Sequence, residues 1–414
     1  MPVLVLALAF TAHAEERPTK ATPPFIQRLV TEAVTTHPSI EAAEARSLAA
    51  NSAIGAVRLW EDPQLGLGLT SASKAMRMDN GDIFVGINQM LPRPGLYKAE
   101  KRRSIAAEKA QQATQQQTAT ELGFTVAQAT LELALADELI RSQIAYLEWL
   151  KSIVNTAQER SKNPNASATE SLRLESELAV RNQTLASLQR QRVQYATTLN
   201  ILLGRPTDTS WQSLRLDPEA TELANATALK IRLEQDNPQL AVTRHQIEGA
   251  QAEADAAREK RKPVLSVGVG TNTYSGGDFR GAMFTLNVTI PWFNRSVYQA
   301  DIARAEHLRE STLKDLATQQ RELHTQLTSL MTEAQNNRQL VRAYTDEVLP
   351  KTEKSVQTLE SAWVSSKATL LDMLDARRAL LEAQQEQNRY LAAQHVAYQA
   401  LSAITGATVK PQSK

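Results

Sequence analysis

Pro63-Gln64-Leu65-Gly66-Leu67-Gly68-Leu69 returns two hundred residues later as Pro263-Val264-Leu265-Ser266-Val267-Gly268-Val269. In each copy, apolar residues alternate with small or polar ones, the period-two pattern of a β-strand. A second run follows each. Ile83, Val85 and Ile87 alternate with Phe84, Gly86 and Asn88, and Phe284, Leu286, Val288 and Ile290 form the matching set. The faces opposite the apolar ones carry mostly Gly, Ser, Thr and Asn, with almost no charge. A soluble sandwich directs Lys or Glu to water from such a face. A membrane barrel instead sets apolar residues against lipid and small polar ones on the lumen. Four strands cannot close a barrel, and an open sheet in lipid leaves edge groups unsatisfied at several kcal/mol each. The strands must therefore be pooled between chains, eight from two chains or twelve from three.

The repeat extends well beyond the strands. His37-Pro38-Ser39-Ile40 is answered by Asn237-Pro238-Gln239-Leu240, Leu91-Pro92 by Ile290-Pro291, Ala168-Thr169 by Ala368-Thr369, and Leu203-Gly204 by Thr405-Gly406. The offset stays between 199 and 202 throughout, which marks a tandem duplication of one half-molecule. The first repeat is expected over 15–216, with a helix, a β-hairpin at 64–90, a long helix and a return helix at 169–203. The second is expected over 217–406, with a hairpin at 264–290 and a return helix at 369–404. A tail follows at 407–414.

Helices at 24–59 and 228–260 are expected to break at His37-Pro38 and Asn237-Pro238. Polar loops at 71–82 and 271–281 are expected to join the strands of each hairpin, both too long for tight turns. The long helices are expected at 97–160 and 297–363, interrupted by proline only at Pro350. At 1.5 Å per residue each approaches roughly 100 Å. Gly204 and Gly406 fit the end of each return helix. Leu178, Leu185 and Leu199 fall on seven-residue spacing, as in coiled coils. Helices this long with narrow apolar stripes need neighbours along their length.

Composition narrows the function. The chain has 414 residues, 5% aromatics and a net charge of +1, so no global basic field points to nucleic acid. Cys is absent, which excludes a disulfide scaffold, thiolate metal sites and a cysteine nucleophile. Residues 2–10 (PVLVLALAF) form an apolar run of signal-peptide length, followed by Ala12-His13-Ala14, so 1–14 reads as a signal peptide. No Lys or Arg precedes the run. Residues 15–24 are polar and Pro-rich and read as an extended leader. No window of 18 apolar residues follows, so membrane residence requires a barrel. The six His residues show no H-E-x-x-H or E-x-x-H spacing, and no P-loop, G-x-S-x-G or dinucleotide fingerprint occurs. Neither an enzyme nor a cofactor is expected.

The order of these parts resembles the TolC family of outer-membrane efflux proteins. The residues that carry the resemblance are His37-Pro38 and Asn237-Pro238, Leu91-Pro92-Arg93-Pro94-Gly95-Leu96, Ile290-Pro291-Trp292-Phe293-Asn294, Leu202-Leu203-Gly204, and the stretch from Leu370 to Ala376. The resemblance covers essentially the whole chain after residue 14. It implies a mainly α protomer with a small transmembrane β part. Three protomers would give four strands each to a shared 12-stranded β-barrel, and their helices would form a periplasmic α-helical tunnel. It also implies an exit duct of a tripartite efflux system, with a periplasmic adaptor, an inner-membrane pump and outer-membrane lipid as partners. The proline–glycine element resembles that of heavy-metal efflux subunits, so metal cations are the favoured cargo.

Asp372 and Asp375 match the positions where that family places acidic rings at its periplasmic constriction. The competing reading is that two carboxylates early in a helix complement its dipole. Glu175 is the acid opposite them in the first repeat. Trp363 stands where the family often has an aromatic gate, and equally where a core Trp would pack. Arg377 and Arg378 are candidates for ion pairs at the tunnel end. Lys98, Lys101, Arg102 and Arg103 fit a solvated helix face or lipid headgroups. The rival from another class is a periplasmic coiled-coil adaptor or scaffold without a pore.

Overall fold

A computed structural model describes residues 19–70, 82–161, 168–219, 225–274, 277, 279–365 and 367–406. The expected signal peptide and C-terminal tail lie outside the described residues, as does most of the first hairpin loop. The helices are α1 (Pro23–Thr36), α2 (Pro38–Gly55), α3 (Pro94–Ser161), α4 (Ala168–Leu202), α5 (Ala226–Asp236), α6 (Pro238–Lys260), α7 (Arg295–Ala343), α8 (Leu349–Val364) and α9 (Leu370–Ile404). The strands are β1 (Thr19–Ala21), β2 (Gln64–Thr70), β3 (Asp82–Met90), β4 (Leu214–Leu216), β5 (Val264–Tyr274) and β6 (Phe279–Thr289).

Both predicted proline breaks occur where the residue before proline is driven to extended backbone. His37 has ψ 130° and Asn237 ψ 120°. Asn237 also caps α6 by accepting from the Leu240 amide at 3.0 Å. Gly204 and Gly406 have φ of 68° and 73°, the left-handed geometry that ends a helix without a Cβ penalty.

The second long helix differs from the single span 297–363. It divides into α7 and α8 around a π-helical stretch, Tyr344–Val348. Pro350 has no amide hydrogen and its ring crowds the preceding turn, so the chain takes in an extra residue there. The Leu349 amide donates to the Tyr344 carbonyl, five residues back. The second hairpin loop is also shorter than the expected 271–281. Thr271, Asn272, Thr273 and Tyr274 continue β5, and β6 begins at Phe279. Thr and Tyr favour the pleated surface even when polar. A register shift at Asn272/Thr273 accommodates the extension.

Contacts sort the chain into two compact units that cut across the repeat. One takes residues up to His37, Ala119–Ile231 and Thr325 onward; the other takes Pro38–Thr118 and Arg232–His324. The repeats are therefore units of sequence, and equivalent parts of the two copies fold together.

The second unit holds a four-stranded antiparallel sheet in the order β2-β3-β5-β6. The two hairpins meet through β3 and β5, with Val85 opposite Thr271 and Ile87 opposite Val269. Register sets Leu65, Leu67, Leu69, Val85, Val269 and Phe284 on one face. Leu69 is 85% and Phe284 82% exposed, so this face has no protein cover within the chain. At the exit from β3, Pro94 opens α3, where the missing amide hydrogen costs nothing. The carboxylate of Glu259 lies against Gly95, where any Cβ would collide with it. The basic cluster beyond is partly paired: Arg102 meets Asp255 at 2.9 Å, and Lys101 lies over the Tyr97 ring.

The first unit contains a feature with no strand signal in the sequence. β1, in the expected extended leader, pairs in parallel with β4, in the link between the halves. Asp137, 5% exposed, fixes β4 by accepting from the Leu214 amide at 2.8 Å while it pairs with Arg192. Among the described residues no helix is long and apolar enough to cross a membrane.

Candidate functional site

The four sequence candidates lie where α3 turns into α4 and α8 into α9, all within the first unit. The structure brings only two of them together. Thr369 is the N-cap of α9 and forms a capping box with Asp372. The Thr369 hydroxyl accepts from the Asp372 amide at 3.2 Å, and the Thr369 amide donates to Asp372 Oδ2 at 3.0 Å. The Thr369 hydroxyl and amide hold the Asp372 carboxyl below the usual carboxylate range. Asp375, one turn on, is exposed and accepts from Arg378 at 3.1 Å. Both carboxylates lie in the first two turns of α9, so the helix-terminus reading describes what Asp372 does within one chain.

The other two candidates have different surroundings. Trp363 is 7% exposed and packs in a core. Its neighbours there include Tyr146, Leu150, Val154 and Ala157 from α3, Leu174 from α4, and Leu370, Met373, Leu374 and Leu381 from α9. The α3 members recur at three- and four-residue spacing, which places them on one helix face. Within one chain Trp363 is thus a packed side chain. Glu175 is exposed on α4, where it accepts from Ser171 at 3.2 Å and Gln158 at 3.5 Å.

Beside this core lies an ionic network that the sequence reading identified only in part. Glu177 of α4, with a side chain 10% exposed, accepts from Arg378 of α9 at 2.6 Å, Arg181 at 2.8 Å and the Tyr146 hydroxyl at 3.1 Å. Burial pushes the Glu177 carboxyl upward, but the hydrogen bonds from Arg378 and Arg181 outweigh it and hold it at about 2. Burial and the neighbouring Glu177 charge push the Tyr146 hydroxyl up to about 12. A second acid, Glu360 of α8, accepts from the Trp149 indole at 2.8 Å and from Arg377 at 2.9 Å. The Arg377 guanidinium also lies 4.9 Å from the Trp149 ring centre. Arg377 and Arg378 thus form ion pairs as expected, chiefly with Glu360 and Glu177.

The repeat carried an unused signal for this network. Leu174 and Leu374, 200 positions apart, are both fully buried in the one core. Close to this equivalent pair, Glu177 of the first copy meets Arg378 of the second. Among the described residues, no group of three or more His, Cys, Asp or Glu side chains is arranged to hold a metal ion.

Comparison with known proteins follows the same repeat. The family model described as outer membrane efflux protein matches residues 29–205 and again 231–407. The chain is 25% identical over 264 residues to the pyoverdine export outer membrane protein OpmQ of Pseudomonas putida, covering 62% of this chain and 55% of OpmQ. The match thus spans about half the length of that relative. Among solved structures, the outer-membrane channel OprN superposes with a TM-score of 0.82 at 16% identity, covering 93% of this chain and 90% of OprN. CusC superposes with a TM-score of 0.81 at 16% identity, covering 96% of this chain and 99% of CusC. At that identity the likeness concerns the fold.

Proposed function

This chain belongs to the outer membrane efflux protein family, and from that membership we propose that it is the exit duct of a tripartite efflux system in the outer membrane. A periplasmic adaptor and an inner-membrane pump would deliver its cargo. The observation that carries this reading is the sheet β2-β3-β5-β6, with one face of uncovered apolar side chains and open edges at β2 and β6. In lipid those edges must pair with other chains. Three protomers, β6 of each beside β2 of the next, give twelve strands and no edge. The apolar face then meets lipid, and the Gly, Asn, Ser and Thr face lines the lumen. Trp60, Trp292 and Phe293, exposed next to the strand ends, fit an aromatic girdle at the headgroup level. The periplasmic adaptor without a pore loses its support, because its uncovered apolar sheet would have no role. Conductance from purified trimers in planar bilayers tests the duct, and no conductance from correctly assembled trimers refutes it.

At the hairpin ends we place the acidic pair at the narrow periplasmic aperture. Three-fold repetition makes rings of three from Asp372 and Asp375, which attract cations and repel anions. Glu175 adds charge from the neighbouring hairpin, and Trp363 holds the core behind the ring. Asp372 needs only its oxygen acceptor to cap α9, so Asp372→Asn keeps the helix start. The variant Asp372→Asn/Asp375→Asn is expected to lower cation-over-anion selectivity severalfold and to weaken block by divalent cations. The check is the reversal potential in a salt gradient, and a value equal to wild type removes the pair from the aperture. Such rings suit metal cations as cargo. A metal-type pump and adaptor encoded beside the gene would support that cargo, and a drug-type pump would count against it.

A further inference from the structure

The chain has a net charge of +1, yet two segments that flank the sheet are strongly basic. Residues 93–103 and 255–262 carry nine Lys or Arg against three acids. The fold joins them into one surface. Leu96 and Ala99 at the start of α3 pack on Ala256 near the end of α6, and the Glu259 carboxylate lies against Gly95. Asp255 accepts from Arg102 at 2.9 Å and from Arg258 at 2.8 Å, and Glu259 accepts from Lys262 at 2.6 Å. Asp255 and Glu259 thus answer three of the nine cations. Lys98, Lys260 and Arg261 are exposed and have no carboxylate partner among the described residues. Arg261 lies three residues before β5 and Lys260 one residue further back. Lys98 lies one turn into α3, about 6 Å along the helix axis from Pro94. A bilayer headgroup layer is about 5–8 Å deep on each side of the hydrocarbon, so cations this close to the strand ends fall within it. Trp60 and Trp292, exposed beside the ends of β2 and β6, lie at the same level.

We propose that the sheet-side ends of α3 and α6 form a binding surface for anionic glycerophospholipid, with Lys98, Lys260 and Arg261 meeting its phosphate-bearing headgroup. The proposal rests on the reading that the uncovered apolar face of the sheet meets lipid. The acyl chains then lie along that face, and the headgroups come level with the three unpaired cations. A zwitterionic headgroup brings its own cation and gains little from such a surface. A headgroup of net negative charge gains about five-fold in occupancy for each cation near it. Because the three cations are exposed, salt screens part of that gain.

Trp60 and Trp292 report on this surface, since the other three tryptophans belong to the other compact unit. Purified trimers are placed in phosphatidylcholine bilayers, and quenching of their fluorescence is compared for brominated phosphatidylglycerol and brominated phosphatidylcholine. In wild type the phosphatidylglycerol is expected to quench as though enriched about ten-fold at the protein, an excess that shrinks at high salt. Lys98→Gln/Lys260→Gln/Arg261→Gln is expected to remove the excess. Lys109→Gln/Arg309→Gln/Lys314→Gln takes the same charge from helix positions about 20 Å or more beyond the strand exits and is expected to keep it. Trimer assembly is checked by heat-modifiable migration, and Lys98→Gln/Lys260→Gln replaces the first triple variant should that one not assemble. Equal quenching by the two lipids in wild type, or equal loss in both sets of variants, overturns the proposal. Displacement by inorganic phosphate beyond that by chloride at equal ionic strength also overturns it, since the site would then be one for the free ion. If neither lipid quenches wild type, the sheet does not lie in the bilayer and the membrane reading itself fails.

Discussion

Arginine at Phe284 is expected to abolish assembly of the trimer in the outer membrane, whereas arginine at Thr285, the next residue along the same strand, is expected to leave it intact. The two lie at nearly the same depth near the middle of β6 and differ in the face they occupy. Phe284 stands opposite Val269 on the uncovered apolar face, and Thr285 opposite Gly268 on the polar one. A cationic side chain on the lipid face near the bilayer midplane costs about 2–4 kcal/mol. Three-fold repetition multiplies that to roughly 6–12 kcal/mol per barrel, comparable with the whole stability of a folded domain. A charge facing a water-filled lumen has no such cost. The measurement is the amount of heat-modifiable trimer in the outer-membrane fraction. Equal amounts for the two variants would mean that the apolar face does not meet lipid.

The second large effect is expected at Glu177. Glu177→Ala leaves Arg378 and Arg181 without their shared partner beside the core that joins the two helical hairpins. Glu177 is buried but its two arginines are 37% and 24% exposed and keep part of their hydration, so the loss is expected at about 2–3 kcal/mol, below that of a fully buried pair. The temperature at which the folded species is lost should fall accordingly. The same carboxylate makes a pH signature. Its folded value, about 2, lies below its ordinary value of 4.5, so the ionised form is stabilised by folding. That contribution is complete above about pH 4.5, shrinks as pH falls, and is gone below about pH 2. The shift corresponds to about 3 kcal/mol. Glu177→Gln should therefore be less stable than wild type at neutral pH and lose less further stability between pH 4.5 and 2. An acid limb as steep as in wild type would place the titrating group elsewhere.

Most of the element order was legible because it depends on local rules. Alternation at Leu65, Leu67 and Leu69 marks a strand, since neighbouring side chains point to opposite faces whatever else the chain does. His37-Pro38 and Asn237-Pro238 mark breaks because proline excludes helical backbone from the residue before it. The departures occurred where two local preferences competed. Thr271 to Tyr274 are polar enough to read as loop and β-favouring enough to extend β5. Pro350 ended regular α-helix without ending the helix. The pairing of β1 with β4 left no trace, because three-residue strands carry too few alternations to register.

The site was legible as residue types and not as partners. Asp372 and Asp375 are legible because they match the acidic positions of the family the sequence resembles, and Arg377 and Arg378 because they adjoin them. Glu177, Glu360, Tyr146 and Trp149 were missed because their significance depends on distant segments. By itself the sequence determined the duplication, by self-similarity at a fixed offset, and the strands, their two faces, the helices and their ends; the family entered as a resemblance of their order. The strands and helices follow from side-chain period or backbone chemistry over a few residues. Tertiary structure alone decided that Trp363 is buried, that Glu177 meets Arg378, and that Asp372 completes the capping box of its own helix. Those outcomes depend on which surfaces pack across separations of up to about 200 residues, and side-chain period carries no information about distance between segments.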